Sequence, residues 1–358
     1  MSLNSVGEIK PYVKKVELDE GNRKRDNGFN WIGDLRVKVL LTFDCEDFIN
    51  DRSLLALQRI LETLNRENLT GLFFLTGHMA EKISGFPKIL ELLEAEEIGY
   101  HSSSHSVRPT ILEYTDIKDY ELARQISMER ETNHINPITG EPEGKGGIIL
   151  LRKLFPSKEI ISYRAPGFSF SPPHLEALYK LGMRFDFSTN LSPVPACYKD
   201  LTFYPYPRLF DVVNLRSYAR IIKSLGKSHL AVLDFHPNYF VNLKYWDSIY
   251  FSGNPKNLYP IQGRNWNDIR MILRKFEIFL RQVSCFERRG ILDNRLKLEK
   301  SRRKHKWNIR SVTKSYEDSI RWTKNYLKYE PRFILDHFMT FFGIPHAHMY
   351  DGVFLGKN

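Results

Sequence analysis

The sequence is poor in cysteine. Its 358 residues include only three, Cys45, Cys197 and Cys285, and no two of them form a CxxC pair. Disulfide frameworks and structural zinc knuckles need paired or closely spaced cysteines, so both classes are excluded. The sequence instead predicts a protein of a reducing compartment, the cytoplasm.

Long hydrophobic runs are also missing. No stretch approaches the roughly 18 consecutive apolar residues that a membrane span needs. Residues 1–15 contain no apolar segment of the secretory type, so we expect an unexported protein. No internal repeat has a solenoid period, which excludes an array of small repeats. Hydrophobic residues make up 42% and charged residues 27%, as in ordinary globular chains.

The net charge of +11 is concentrated near the end of the sequence. Between Arg288 and Lys328 there are 14 Lys and Arg against four Asp and Glu. Such a block attracts phosphate groups, anionic lipid headgroups or nucleic acid, although a solvated helical face is the more ordinary interpretation. No nucleic-acid-binding motif accompanies it, so specific nucleic-acid binding is not predicted. Peripheral contact with an anionic membrane surface stays an open alternative.

Short apolar runs alternate with amphipathic helical segments through the first two thirds of the chain. Continuous β-branched and aromatic runs at 37–43 and 69–77 enclose a helical segment at 53–68, which predicts a β-α-β unit. The alternation continues through strands at 98–102, 212–216 and 229–237 and helical segments at 116–135 and 219–226. This pattern predicts the α/β class with a parallel sheet, arranged as a distorted (β/α) barrel of about seven parallel strands. The Pro and Gly content of 136–147 predicts a loop or local insertion there.

Composition also divides the chain. Residues 1–35 are polar and predict an N-terminal arm, and residues 36–285 contain the alternating segments of the barrel. A strong helical pattern at 266–283 completes that part. Residues 286–358 predict a basic, mostly helical C-terminal extension.

The first motif with chemical potential is TFDCED, at the end of the first predicted strand. It places Asp44, Glu46 and Asp47 where the chain turns toward the next helix. Active sites of β/α barrels form at the carboxyl ends of the strands. The same acids could instead cap the following helix, so this motif alone does not decide between the two roles.

The second motif is GYHSSSHS, at the end of another apolar strand. His101 and His105 are four residues apart, a spacing at which two imidazoles can chelate one metal ion together with a carboxylate from elsewhere. The alternative is a pair of loop histidines bonded to the backbone.

Two further motifs lie at later strand ends. YRAPGF places Arg164 where a guanidinium can hold a carboxylate in one orientation and keep it ionised, or form a structural salt bridge. LDFHPNY places His236 at the exit of a buried strand, where an imidazole can act as a general acid.

In this order, the four motifs resemble those of the polysaccharide deacetylase family, the NodB-homology carbohydrate esterases of family 4. The resemblance covers roughly residues 37–240 and implies a NodB-like barrel. Carried over to this sequence, it implies Asp44 as the catalytic base, His101 and His105 as metal ligands, Arg164 as the partner of Asp44, and His236 as the acid.

The first motif departs from the common family form, TFDDG, because Cys45 replaces the usual ligand. Some relatives space the two acids at i and i+2, so Glu46 is the favoured third ligand and Asp47 the alternative, with a Cys45 thiolate less favoured. The family also has a carboxylate that orients the acid histidine. Asp186 and Asp211 are the candidates here.

The resemblance implies metal-dependent removal of an acetyl group from an N-acetylated amino sugar in a glycan, glycolipid or sugar precursor. Zinc is the expected divalent ion, with cobalt, nickel or iron as alternatives. Substrate contacts are expected at Pro166, Gly167 and Phe168, and the backbone N–H of Phe168 or Gly167 could hold the oxyanion. Two rival functions remain: a small-molecule amidohydrolase for a ureide or imide, and a non-catalytic barrel that binds glycan or a membrane surface.

Overall fold

The computed structural model describes residues 37–105, 119–166, 172–188, 196–198, 200–204, 208–209, 230–243, 260, 262–295, 298 and 300. For 172, 196–198 and 208–209 it describes the backbone alone. The predicted N-terminal arm, the strand at 212–216, the helix at 219–226 and most of the C-terminal extension lie outside these ranges.

The helices and strands alternate along the chain as the apolar runs predict. The strands are β1 (Val37–Cys45), β2 (Gly71–Leu75), β3 (Glu97–Tyr100), β4 (Asn133–Ile135), β5 (Pro142–Lys145), β6 (Ser162–Tyr163), β7 (Phe185–Asp186), β8 (Ala196–Tyr198), β9 (Leu201–Phe203), β10 (Arg208–Leu209), β11 (Leu230–Phe235) and β12 (Leu292–Asp293). The helices are α1 (Asp51–Glu67), α2 (Gly77–Ile83), α3 (Pro87–Leu93), α4 (Tyr120–Thr132), α5 (Gly147–Leu154), α6 (Pro172–Lys180), α7 (Pro237–Val241) and α8 (Trp266–Arg288).

One curled sheet organises the described part of the chain. Its strand order is β10-β11-β1-β2-β3-β6-β7-β9-β8, and all neighbours pair in parallel except β9 and β8. Neighbouring parallel strands need crossover connections. Helix α1 connects β1 to β2, and helices α2 and α3 connect β2 to β3. The predicted fold class, a distorted (β/α) barrel of about seven parallel strands, is confirmed.

Strand β1 is an interior strand of the sheet and separates two apolar layers. Val39, Leu41, Phe43 and Cys45 belong to the large core beneath the helices, whereas Leu40 belongs to the smaller core on the other face. Successive side chains of a strand point to opposite faces, which explains this division. The same alternation places the side chain of Cys45 on the helix side of β1, opposite the face occupied by its even-numbered neighbours.

The structure differs from the sequence prediction around residues 133–145. The helix predicted for 116–135 ends at Thr132, and the following residues form β4, which pairs antiparallel with β5. A turn from Asn136 to Gly140 closes this hairpin, and Gly140 has a φ of 77°, a conformation that glycine adopts readily. The segment 136–147, predicted as a loop or local insertion, therefore contains a strand.

The predicted boundary at residue 285 lies within helix α8. Helix α8 continues to Arg288, and β12 then pairs in parallel with Val37 and Lys38 of β1. Strand β2 begins opposite Leu41, so β12 occupies the edge of β1 that β2 leaves uncovered. Among the helices that the structure describes, none combines the length and apolar character that crossing a membrane requires.

Candidate active site

The register of the sheet brings the four motifs to one edge. Cys45 pairs with Leu75, Leu75 with Tyr100, and Tyr100 with Tyr163, so β1, β2, β3 and β6 end side by side. Phe43 is opposite Phe235, which aligns β11 with the same edge. The residues at these strand ends, among them Asp44, Glu46, His101, Arg164 and His236, therefore converge.

Glu46, His101 and His105 form a buried cluster that could hold a metal ion. One ligand-capable atom from each lies within 4.8 Å of the others, and each residue is at most 3% exposed. His105 Nε2 is 2.8 Å from Glu46 Oε2, and His101 Nε2 is 3.6 Å from the same oxygen. Two imidazoles and one carboxylate are a ligand set found in catalytic zinc sites, which keep further positions open.

The protonation of His101 fits this role. Its Nδ1 lies 2.7 Å from the carbonyl oxygen of Arg164, and because a carbonyl only accepts, Nδ1 carries the proton. The lone pair of the neutral ring is then on Nε2, which is buried and makes no hydrogen bond to any described residue. Histidine ligands usually donate their second N–H to a carbonyl or carboxylate in this way. The buried Nε2 atom and the nearby carboxylates fit a divalent cation.

The loop between the two histidines has an unusual backbone conformation. Ser102 and His105 have φ values of 64° and 48°, which non-glycine residues adopt rarely. The His105 N–H donates to Ser102 Oγ, and the Ser103 N–H donates to Glu131 Oε2 at 2.9 Å. Strained backbone persists where surrounding contacts fix it, and it is common at functional sites.

Glu131, on α4, is a member of the site that the sequence prediction missed. This carboxylate is fully buried and also accepts hydrogen bonds from the Tyr100 hydroxyl and from His174 Nε2, each at 2.7 Å. It thus joins β3, α4 and α6 behind the loop formed by residues 101–105. No sequence motif indicated it, because α4 and α6 reach this position only through tertiary packing.

Arg164 links two buried carboxylates. Its Nη1 donates to Asp44 Oδ1 and to Asp234 Oδ1, both at 2.6 Å, and its Nη2 donates to Thr42 Oγ1 at 2.9 Å. The guanidinium also lies 4.4 Å from the ring centroid of Phe74. The predicted contact between Arg164 and Asp44 is present, and Asp234 is an additional partner.

Burial and charge act differently on these two carboxyls. Burial alone would raise the pKa of Asp44, but Arg164, His101 and His236 outweigh it, so that pKa lies below its ordinary value. Burial raises the pKa of Asp234 well above its ordinary value; Arg164 opposes this shift, and Asp44 adds to it by repulsion. Asp44 is therefore held as a carboxylate, as a general base requires.

His236 approaches the same oxygen of Asp44 as His101 does. Its Nε2 is 3.7 Å from Asp44 Oδ2, and its Nδ1 is 3.9 Å from Asp234 Oδ2. The ring stacks on Tyr239 with centroids 4.4 Å apart. The sequence prediction missed Asp234, although its i, i+2 spacing from His236 on a buried strand places both side chains on one face.

Of the two carboxylates considered for orienting His236, Asp186 lies on β7. Burial raises the pKa of Asp186 to about 7, and its Oδ1 accepts the N–H of Ser188 at 2.7 Å. Asp211 lies outside the described residues. Asp234 is the carboxylate that the structure places next to the histidine.

Asp47 stands apart from the cluster and bonds to the start of α1. Its two oxygens accept from the Ile49 and Asn50 N–H groups, the Asn50 amide, the Ser53 hydroxyl and the Asn242 amide. These contacts resemble the capping role considered for the motif. Glu46, in contrast, approaches both histidines and accepts a long contact of 3.4 Å from the Asn238 amide.

The Cys45 thiol and the predicted substrate contacts complete the set of predicted residues. Burial, together with the negative charges of Asp44, Glu46 and Asp234, raises the pKa of the Cys45 thiol well above its ordinary value, which disfavours a thiolate. Pro166 is buried two residues after Arg164. Gly167 and Phe168 lie outside the described residues.

Comparisons with known proteins add the following. No family model and no curated protein sequence matches the chain. It is similar to the crystal structure of a candidate polysaccharide deacetylase from Mycobacterium smegmatis, at 15% identity and a TM-score of 0.42, covering 76% of this chain and 97% of that one. It is also similar to a CE4 esterase from Streptococcus mutans, at 13% identity, 72% and 84% coverage and a TM-score of 0.40. A third structure is a candidate polysaccharide deacetylase from Bordetella bronchiseptica involved in O-antigen biosynthesis, at 16% identity, 68% and 91% coverage and a TM-score of 0.36.

Proposed function

We propose that the protein is a metal-dependent hydrolase that removes the acetyl group from an N-acetylated amino sugar. The observation that carries the proposal is the arrangement around Asp44. Asp44 Oδ2 lies 3.8 Å from His101 Nε2 of the two-histidine, one-carboxylate cluster and 3.7 Å from the imidazole Nε2 of His236. The resemblance of the four sequence motifs to those of polysaccharide deacetylases supplies the substrate class.

Amide hydrolysis needs a nucleophilic water, a stabilised oxyanion and a protonated leaving amine. A divalent ion held by Glu46, His101 and His105 would make water more acidic and polarise the acetyl carbonyl. Zinc suits this ligand set, and cobalt, nickel or iron are the alternatives. Three protein ligands leave room for water and substrate.

Asp44 takes the proton from the attacking water in this proposal. Its Oδ1 is fixed by Arg164, whereas its Oδ2 faces both His101, at 3.8 Å, and His236, at 3.7 Å. Because the pKa of Asp44 is lowered, it stays available as a base into the acidic range. Arg164 keeps the carboxylate ionised and oriented, as a bidentate or bridging guanidinium can.

His236 donates a proton to the nitrogen of the amine as the C–N bond breaks. Asp234 Oδ2 faces its Nδ1 and would orient the ring, and the stacked Tyr239 restricts its rotation. The products are acetate and the free amino sugar, whose nitrogen carries the proton donated by His236. Pro166, Gly167 and Phe168 stay the predicted substrate contacts.

The test is acetate release from a panel of N-acetylated sugars and sugar conjugates. Protein stripped of metal should be inactive, and addition of zinc or cobalt should restore release from at least one sugar. Release from ureides or imides but not from any sugar would support the rival amidohydrolase. Metal-free protein that binds glycan and releases no acetate would support a non-catalytic barrel.

A further inference from the structure

A second cluster of potential metal ligands lies outside the proposed catalytic site. His78 and Glu81 are one turn apart on α2, and His134 is on β4. One ligand-capable atom from each lies within 4.8 Å of the others. None of the three has a part in the proposed hydrolysis.

His78 has the protonation that metal ligation requires. Its Nε2 lies 2.5 Å from the carbonyl oxygen of Ile135, which can only accept, so the ring donates from Nε2. The neutral ring then carries its lone pair on Nδ1. Metal-ligating histidines commonly have this outer hydrogen bond, which fixes the tautomer and the orientation of the ring. Packing reinforces it, because the ring is 3% exposed and lies 4.6 Å from the ring of Phe48.

His134 and Glu81 already approach each other. His134 Nδ1 is 2.6 Å from Glu81 Oε1, and their side chains are 29% and 31% exposed. A cation can reach this pair from solvent. The cation would replace the proton shared by His134 Nδ1 and Glu81 Oε1. That proton would then bind to Nε2 of His134 or pass to water.

His78 adds a second imidazole to the pair formed by His134 and Glu81. The His78 and His134 rings are 5.4 Å apart and meet edge to face, beside the same carboxylate. Two imidazoles and one carboxylate with one open side match the ligand set of zinc. We propose that His78, Glu81 and His134 bind a second divalent cation, zinc by preference, which fastens the β4–β5 hairpin to α2.

The position of this cluster gives it a structural role next to the first. The N–H of His78 donates to the carbonyl of Ser103, and the Ser103 hydroxyl donates to the carbonyl of Asn133. Ser103 lies between the two histidines of the proposed catalytic site. A cation at the second cluster therefore ties together the two segments that hold this loop from behind.

Zinc stoichiometry, measured by competition with a chromophoric chelator, tests the proposal. Wild type should bind two equivalents. Glu81→Gln and His134→Gln should each bind one, with the affinity of the lost site falling by more than the roughly 10- to 100-fold that loss of an outer partner costs. Glu91→Gln, an exposed glutamate on α3 that pairs with Lys88, is the matched control and should bind two.

A variant of the first site separates the two proposals. His101→Gln/His105→Gln should still bind one equivalent, and zinc should still slow proteolysis within 133–145. Adding Glu81→Gln to this variant should abolish both effects. The second site is refuted if Glu81→Gln and His134→Gln leave the zinc content and the protease protection of wild type unchanged. If wild type binds one equivalent, and that equivalent survives in His101→Gln/His105→Gln but is lost in Glu81→Gln, the proposed catalytic metal site is refuted and the second site is supported.

Discussion

Neutral substitutions of Glu46 and Asp47 should affect different properties of the protein. We expect Asp47→Asn to lower stability and Glu46→Gln to lower metal affinity. Asp47→Asn replaces an oxygen that accepts from the Asn50 and Asn242 amides with an NH₂ group, so donors face donors. Hydrogen bonds to charged groups contribute about 1.5–3 kcal/mol each. Loss of one or two of them in this buried position should lower the free energy of unfolding by roughly 2–4 kcal/mol.

Glu46→Gln should behave oppositely. Glu46 adds to the repulsion that raises the pKa of Asp234, so a neutral side chain of the same size relieves that repulsion in the metal-free protein. We expect its stability to change by less than about 1 kcal/mol. Metal affinity should fall sharply, because one of three ligands is lost.

Urea denaturation of metal-stripped protein and metal titration of the same samples measure both quantities. Asp47→Asn should unfold at a lower urea concentration than wild type and retain metal. Glu46→Gln should unfold near the wild-type urea concentration and lose metal. The reasoning is refuted if Asp47→Asn loses metal at unchanged stability while Glu46→Gln keeps it. Equal retention in both variants would mean that neither carboxylate is a ligand.

Four further substitutions test other parts of the account. His236→Ala should lower turnover on an N-acetyl sugar by about 10²- to 10⁴-fold with little change in metal content, and much less on an aryl acetate, whose leaving group needs no proton. Glu131→Gln should lower metal affinity by about 10- to 100-fold, because it loosens the loop formed by residues 101–105. Tyr100→Phe removes one hydrogen bond to the Glu131 carboxylate and should lower metal affinity less in the same titration. Burial raises the pKa of Glu96 to about 7 against the hydrogen bond from the Gly71 N–H, so its contribution to stability is greatest below pH 4.5 and is lost as pH rises through about 7. At pH 8, the free energy of unfolding of Glu96→Gln, measured with urea, should therefore exceed that of wild type by roughly 1–3 kcal/mol. At pH 4.5 the variant should show no such gain.

The sequence predicted the sheet and the four motifs well because both depend on local patterns. A run such as Val37–Phe43 can only be buried on both faces, and the polar residues after it must lie at a strand end. Parallel pairing then brings such ends together without further information. This is why the sequence alone could place Asp44, His101, Arg164 and His236 at one edge of the sheet.

The parts that were missed depend on packing between distant segments. Glu131 and His174 lie on helices with no motif, and they meet only because α4 and α6 pack together. Asp234 lies within an apolar strand, where its neighbours indicate burial and conceal its charge. The β4–β5 hairpin has short, polar strands whose pairing follows from the turn at Gly140.

The most direct test of the proposed function is acetate release and metal content measured on the same samples of wild type and Asp44→Asn. Asn keeps the size of the side chain and removes the base, while Glu46, His101 and His105 are unchanged. The account predicts equal metal in both proteins and a turnover lower by about 10²- to 10⁴-fold in the variant. An Asp44→Asn protein that releases acetate from an N-acetylated sugar as fast as wild type would contradict it.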